Sequence, residues 1–209
     1  MQQSIGYALK DFWGLVRSQP SMFRYRRLQR QFGFHPWHVQ SPYLRRSYKA
    51  RVVKLVNGFH PETVVEIGCG LGEIVARTTA RHRFGFDCEP AAVTAASFQN
   101  GRHTGFHLGD LRKPEVIARV VQRPIDVLVA VNWPHMLPIE EIARAVADLT
   151  NHLPVGVLVI DTIRATRTGY EHYHTVRDIS RLGTIVATVC GGDGIRDLHT
   201  VRLNPRAMR

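Results

Sequence analysis

Five short apolar runs divide the central part of the chain into regular segments. Runs of this length are typical of strands that are buried in a parallel sheet. The expected strands cover residues 64–67, 84–87, 106–111, 125–132 and 154–161. The pattern therefore predicts an α/β fold with helices on both faces of the sheet.

The pattern changes near the end of the chain. Gly183 to Cys190 and Leu198 to Leu203 are two further β-rich runs, and the link between them contains Gly191, Gly192 and Gly194. A glycine-rich link of this length between two strands is a hairpin signal rather than a helical crossover. We therefore expect the sheet to end in an antiparallel hairpin.

The first sixty residues have a helical pattern. Apolar residues from Ser4 to Arg17 form one stripe at helical spacing. Ser41 and Pro42 resemble the start of a second helix, which is expected to stop at Asn57-Gly58. These residues predict a helical N-terminal extension over 1–60, followed by a core domain over 61–209.

A glycine-rich turn follows the first expected strand. Gly68, Gly70 and Gly72 stand at alternate positions, and a helical pattern runs from Glu73 to Ala80. A strand, a glycine turn and a helix allow the backbone to approach a nucleotide-like ligand closely. The fingerprint of NAD-binding proteins requires a third glycine where this chain has Glu73, so a different nucleotide-like ligand is indicated.

Composition adds a strong charge asymmetry. The net charge is +11, and residues 1–60 contain eleven lysines and arginines against a single acid, so the remaining residues are close to neutral. The three cysteines are widely spaced, which favours neither a zinc site nor a disulfide framework. No run reaches the ~18 apolar residues of a membrane span, and Lys10, Asp11 and Arg17 interrupt any signal-peptide core. A cytoplasmic location is the expectation.

The residues around Glu66 form the pattern acidic-x-G-x-G-x-G, which resembles motif I of the class I S-adenosylmethionine-dependent methyltransferases. Further motifs of that family follow in order: Asp87 closes the second expected strand, and Gly109-Asp110 closes the third. The resemblance implies a Rossmann-like seven-stranded sheet with an antiparallel last strand, and S-adenosyl-L-methionine as cofactor. The implied cofactor-binding residues are Glu66, Gly68, Gly70, Asp87, Cys88, Asp110, Leu111 and Asn132. The resemblance implies that Asp87 binds the ribose hydroxyls and that the carboxylate of Asp110 lies near the adenine amino group.

The segment after the fourth expected strand, residues 133–138, resembles the His-His-Leu-Pro segment of small-molecule methyltransferases, with His135 on the first histidine. A hydroxyl acceptor needs a general base, and the carboxyl ends of the strands line the ligand crevice in this kind of sheet. His135 is our first candidate for the base, with Asp161 and His174 as rivals. Asp161 could instead orient a histidine, or join Asp126 or Glu171 around a divalent ion. The spacing has no metal signature, so we expect no metal.

Two clusters of aromatic residues and histidines, at 35–43 and 169–174, resemble segments of small methyltransferases of glycan and polysaccharide pathways. Tryptophan and tyrosine offer flat apolar faces to a sugar ring, whereas histidine meets its hydroxyls. The expected substrate-binding residues are Trp37, His38, Tyr43, Trp133, Tyr170 and His172. The resulting prediction is O-methylation of a saccharide or another small hydroxylated acceptor.

The basic N-terminal segment leaves several partners open. It could attract an anionic acceptor, contact an anionic membrane, or be a solvated basic face. It could also bind nucleic acid through residues 24–32, which makes an RNA methyltransferase the alternative function. A non-catalytic cofactor-binding regulator is a third hypothesis for the function.

Residues 132–135 also resemble the Asn-Pro-Pro-Tyr motif of amine methyltransferases, but Trp133 and His135 depart from it, which disfavours an amine acceptor. The sequence does not specify an oligomeric state.

Overall fold

A computed structural model of the protein describes residues 19–40, 42–164 and 169–203. Within these residues, seven strands form one sheet in the order β3-β2-β1-β4-β5-β7-β6. The strands are β1 (Thr63–Ile67), β2 (His82–Asp87), β3 (Gly105–Leu108), β4 (Ile125–Ala130), β5 (Val155–Ile163), β6 (Gly183–Cys190) and β7 (Arg196–Leu203).

Strands β1 to β5 run parallel, and β7 is antiparallel to both of its neighbours, β5 and β6. The predicted Rossmann-like sheet with a terminal hairpin is therefore confirmed. The strand order reverses between β1 and β4, which are hydrogen-bonded neighbours. Ligands bind at such a switch point in open α/β sheets, in the crevice beyond the carboxyl ends of the strands.

Helices surround the sheet, in addition to short 3-10 turns at Tyr43–Arg45, Val75–Arg77 and Trp133–Met136. The helices are α1 (19–32), α2 (Trp37–Gln40), α3 (Ser47–Asn57), α4 (Pro90–Asn100), α5 (Pro114–Val121), α6 (Ile139–His152) and α7 (Val176–Ile179).

Two apolar clusters cover the two faces of the sheet. Val65 and Leu128 belong to one cluster, with the buried sides of α5 and α6. Val64 and Val127 belong to the other, with the buried side of α3. Neighbouring residues of one strand thus point to opposite cores, which explains why β1 and β4 are apolar throughout.

The N-terminal helices pack directly on this core. Tyr25 and Leu28 of α1 share a buried cluster with Ala92 and Ala95 of α4. The predicted helix end at Asn57-Gly58 agrees with α3. The apolar stripe predicted over Ser4–Arg17 lies outside the described residues, and the proposed domain boundary at residue 60 stays a prediction.

Two predicted helices differ from the structure. The segment 73–80 contains only the 3-10 turn Val75–Arg77, because the Glu66 carboxylate accepts a hydrogen bond from the backbone N–H of Val75 and competes with helical bonding. The helix predicted from Pro42 begins at Ser47, because the backbone leaves the helical region at Arg46 (φ −109°, ψ 86°). Ser41 itself lies outside the described residues.

Candidate functional site

A cavity of about 330 Å³ lies beyond the carboxyl ends of the parallel strands. Its floor comes from the loops after β1, β2 and β4, and part of its wall comes from α2 and α3 of the N-terminal segment. The lining contains both acidic and basic side chains. These are Glu66, Glu73, Asp87, Asp110, His38, Lys49 and Arg112.

The glycine loop after β1 is built for close approach. Gly68 and Gly70 have positive φ angles of 68° and 51°, a region that favours glycine. A Cβ on Gly68 would lie 2.3 Å from Cδ1 of Trp133, and one on Gly70 would lie 2.8 Å from Nδ1 of His38. Both positions therefore need glycine for backbone conformation and for space.

Asp87, the acid predicted to bind a ribose, ends β2 and lines the cavity. Its Oδ2 accepts a hydrogen bond from the backbone N–H of Gly70 (2.7 Å), and its Oδ1 accepts one from that of Glu89 (3.0 Å). Each carboxylate oxygen has further acceptor capacity. Asp87 thus fixes the glycine loop and can still receive ligand hydroxyls.

Glu66, the penultimate residue of β1, is buried and also lines the cavity. Its Oε2 accepts the Val75 N–H at 2.9 Å. Burial raises the pKa of Glu66 to about 8, although the Val75 bond and the positive charge of Lys49 oppose this rise.

Glu73 connects three parts of the N-terminal segment to the glycine loop. Its carboxylate accepts hydrogen bonds from the Tyr25 hydroxyl (2.5 Å), the Tyr43 backbone N–H (2.7 Å) and the Lys49 ammonium (2.6 Å). Burial and the adjacent Glu73 raise the pKa of Tyr25 well above its ordinary value. Sequence reasoning missed the roles of Glu73 and Lys49. The available signal was an acid in the glycine loop and a lysine beside the buried stripe of the preceding helix.

Of the three cofactor residues predicted just after β2 and β3, two line the cavity and one does not. Cys88 and Asp110 line it, and Arg112 holds the Asp110 carboxylate through several hydrogen bonds of 2.5–3.1 Å. These bonds lower the pKa of Asp110. Leu111 instead packs fully buried in the core beside α5. Its predicted contact with the cofactor is not seen in the cavity lining.

His135, the first candidate for the base, has no exposed surface and does not contribute to the cavity lining. Its Nδ1 donates to the carbonyl oxygen of His172 (3.3 Å), and its ring stacks on that of His174. Its Nε2 lies 3.3 Å from Oδ1 of Asp161, without the alignment of a full hydrogen bond. This burial does not favour proton transfer from an acceptor in the cavity.

The two rivals lie in the same buried cluster. Asp161 accepts the backbone N–H of Asn132 (2.8 Å) and pairs with Arg196 (2.7 Å). Burial alone would raise the pKa of Asp161, but His135 and Arg196 outweigh it and hold this pKa below its ordinary value. His174 donates through Nε2 to the carbonyl oxygen of Pro134 (3.1 Å), and burial lowers its pKa. The three candidates thus stand together behind the cavity wall.

Asn132, the predicted cofactor contact after β4, is itself part of the cavity lining and has a positive φ of 74°. Its side-chain oxygen accepts hydrogen bonds from the Tyr170 hydroxyl (3.2 Å) and from Arg196 (3.3 Å). The buried cluster therefore holds this unusual backbone conformation from behind.

The predicted substrate residues divide into two groups. Trp37, His38 and Trp133 line the cavity, whereas Tyr43, Tyr170 and His172 are not in its lining. The Tyr43 ring lies under the guanidinium of Arg77, and Tyr170 packs edge-on against His135. These two tyrosines thus support the walls of the cavity in this structure.

The alternative of a metal shared by Asp161 and Asp126 is wrong. Asp126 stands at the amino end of β4, where its Oδ2 accepts the backbone N–H groups of Glu62 and Thr63. Asp161 lies at the other end of the sheet. Among the described residues, no group of three histidine, cysteine or acidic side chains has the geometry of a metal site.

No helix within these same ranges is both long and apolar enough to cross a bilayer.

Comparison with solved structures identifies the fold. The N-methyltransferase NodS from Bradyrhizobium japonicum, in complex with S-adenosylhomocysteine, superimposes with a TM-score of 0.64 at 19% identity, over 86% of this chain and 97% of NodS. The chain has the fold of the S-adenosylmethionine-dependent methyltransferases. No family model matches the sequence, and neither does any curated protein.

Two further structures share this fold. The magnesium protoporphyrin IX methyltransferase ChlM from Synechocystis, with bound S-adenosylhomocysteine, gives a TM-score of 0.60 at 15% identity, over 93% of this chain and 98% of ChlM. A methyltransferase from Clostridium acetobutylicum gives 0.60 at 12% identity, over 78% of this chain and 93% of its own.

Proposed function

We propose that this protein is an S-adenosylmethionine-dependent methyltransferase that binds its cofactor in the cavity beyond β1, β2 and β4. One observation carries the proposal: the glycine loop, Glu66 and Asp87 converge on a single cavity at the switch point of the sheet. The similar structures of NodS and ChlM contain S-adenosylhomocysteine, which supports this choice of ligand. We expect the protein to act in the cytoplasm, where S-adenosylmethionine is made.

The proposed reaction needs accurate positioning above all. Methyl transfer from a sulfonium is an in-line displacement, so the enzyme must hold the acceptor oxygen close to the methyl carbon. Cofactor bound along the glycine loop and Asp87 leaves the space between Trp133 and the N-terminal segment for the acceptor. Trp37, Tyr48 and Lys49 line that side of the cavity.

The acceptor that we propose is a saccharide or another small hydroxylated molecule. Trp37 and Trp133 provide flat apolar faces for the C–H side of a sugar ring. His38 and Lys49 provide polar groups that can meet its hydroxyls. The cavity therefore combines apolar faces with hydrogen-bonding groups.

His38 is better placed than His135 to act as the base in this reaction. Its Nε2 lies 3.0 Å from Oε2 of Glu89, and the other oxygen of Glu89 accepts the backbone N–H of His35 (2.6 Å). A carboxylate can only accept, so Nε2 carries the proton and Nδ1 of neutral His38 is left as an acceptor. This is the arrangement by which a carboxylate orients a catalytic histidine.

Two measurements test the proposal. Calorimetry with S-adenosylhomocysteine should show stoichiometric binding, and its absence would contradict the cofactor. An assay for S-adenosylhomocysteine release should then respond to saccharides or other alcohols in a panel that also contains amines, tetrapyrroles and RNA. Turnover confined to amines or RNA would retain the methyltransferase and replace the acceptor.

A further inference from the structure

The outer side of α1 is strongly basic. Within residues 19–32 it carries four arginines and no acidic residue. Together with a phenylalanine they form a surface that we call the arginine face. Its members are Phe23, Arg24, Arg26, Arg27 and Arg30, and all five are exposed.

Helical geometry explains how this face is organised. Successive residues of an α-helix are rotated by about 100°, so Phe23 lies almost opposite Tyr25, with Arg27 and Arg30 on either side of it. Tyr25 and Leu28 are the buried residues that hold α1 on α4. The arginines therefore point away from the protein because the opposite side of the helix is in the core.

The face also contains apolar surface that has no structural use within the described residues. Phe23 is 75% exposed in the centre of the four arginines. None of the four arginines forms an ion pair with another residue in the described ranges.

We propose that the arginine face docks on the surface of an anionic lipid bilayer. A cluster of this size is attracted by the negative surface potential of anionic lipids, which acts within about one Debye length, ~8 Å at physiological salt. Phe23 is at the point of the face that would first reach the headgroup region, where an aromatic ring leaves water.

The shape of the surface favours a bilayer over nucleic acid. Proteins that bind single strands usually guide the backbone through a basic groove beside stacking aromatic rings. The arginine face is the convex side of one helix, and its guanidinium groups spread over about half of the helix circumference. A broad planar surface can contact all four arginines together.

Docking would bring the cavity close to the bilayer. Tyr25, on the inner side of α1, donates a hydrogen bond to Glu73, and Glu73 lines the cavity. The separation is therefore close to one helix diameter, about 10–12 Å. A role of this docking in catalysis rests on the proposed methyltransferase function. The docking itself does not depend on that function.

Vesicle sedimentation of the full chain, without cofactor, tests the proposal. Vesicles of phosphatidylcholine alone should leave the protein in solution, whereas an equal mixture with phosphatidylglycerol should sediment it at low salt and release it at high salt. Replacing the four arginines of the face by glutamine should weaken binding at least tenfold. Phe23→Ser should weaken it by a smaller factor and leave the salt dependence unchanged.

A matched variant removes the same charge elsewhere. Arg119, Arg144, Arg177 and Arg202 are exposed on α5, α6, α7 and β7. Their replacement by glutamine should leave vesicle binding within about twofold if the arginine face is the contact. Equal losses in the two quadruple variants would overturn the proposal in favour of a general charge effect. Circular dichroism and the melting temperature serve to check that both variants are folded.

Two other results would also overturn it. If the full chain failed to bind anionic vesicles at low salt, the arginine face would not be a membrane-docking surface. A single-stranded RNA could instead bind more tightly than the vesicles at physiological salt and displace the protein from them. If that binding were lost in the arginine-face variant, the face would be assigned to nucleic acid. Because these assays contain no cofactor, neither result affects the proposed methyltransferase.

Discussion

The guanidinium of Arg196 lies 2.7 Å from the carboxylate of Asp161, and both side chains are almost completely buried. Arg196 also pairs with Asp193 (2.6 Å) and lies over the ring of Tyr48, 3.9 Å from its centroid. One cation therefore connects β5, the β6–β7 hairpin and the N-terminal helix α3. Because Tyr48 and Asn132 line the cavity, this ion pair supports two of its walls.

Replacing Arg196 by methionine should destabilise the protein strongly. Asp161 would keep a buried charge without its cation, and breaking a buried pair by removing one partner costs about 3–5 kcal/mol. Urea unfolding of the wild type and of Arg196→Met measures this change. The double variant Arg196→Met/Asp161→Asn should lose clearly less than the sum of the single changes. Strict additivity would show that the two side chains do not stabilise each other.

The cofactor proposal predicts a large effect at Asp87. Asp87→Ala removes the acceptor for ligand hydroxyls and also frees the backbone N–H groups of Gly70 and Glu89. Hydrogen bonds to charged groups are worth about 1.5–3 kcal/mol, so affinity for S-adenosylhomocysteine should fall at least tenfold. Asp87→Asn keeps the volume and one acceptor oxygen and should lose less. An unchanged affinity in the alanine variant would place the cofactor elsewhere.

Gly70→Arg is the companion change for the glycine loop. A side chain at Gly70 would meet the ring of His38 and would also strain a backbone with φ of 51°. We expect this variant to fold, since the loop lies at the cavity rather than in the core, but to show no heat of binding with S-adenosylhomocysteine. Normal binding with an unchanged melting temperature would contradict the assigned position of the ligand.

The sheet could be predicted from the sequence because its signals are local. The apolar runs at β1 and β4 are buried on both faces, and the glycines after Cys190 form the predicted hairpin. The acids Asp87 and Asp110 come within a few residues of a strand end, so the parallel sheet places both at one edge. Short links to a strand leave little freedom in where a side chain lies.

The roles of Glu73 and His135 were not predictable in the same way. Glu73 receives its partners from residues 24 to 48 positions earlier, a long-range arrangement with no periodic signal. His135 follows β4 closely, but the 3-10 turn at Trp133–Met136 directs Trp133 to the cavity and His135 to the interior. A single turn of 3-10 helix therefore decided which side chain reaches the ligand.

The choice between His38 and His135 can be tested by turnover. If His38 is the base, His38→Gln should bind S-adenosylhomocysteine within a few-fold of wild type but lose about 10²–10⁴ in turnover. Glu89→Gln should lose less, because it only orients the ring. His135→Gln should instead lower the melting temperature, since that side chain is fully buried. If His135→Gln folds normally and loses turnover while His38→Gln remains active, the original prediction of His135 is correct.

Glu66 should make the stability of the unliganded protein depend on pH. Burial raises its pKa from an ordinary value of 4.5 to about 8 in the folded state, so between these values the folded protein holds a proton that the unfolded chain has released. The contribution of Glu66 to the free energy of unfolding is therefore largest below the ordinary pKa of 4.5. This contribution falls as pH rises toward 8, by at most about 1.4 kcal/mol per pH unit.

The variant Glu66→Gln keeps the size of the side chain and can still accept the Val75 N–H, but it cannot titrate. Urea unfolding at several pH values should show that the difference between wild type and variant shifts in favour of the variant as pH rises from 5 toward 8, and levels off above it. A difference that is constant across this range would mean that Glu66 is ionised in the folded protein throughout, with Lys49 compensating its charge.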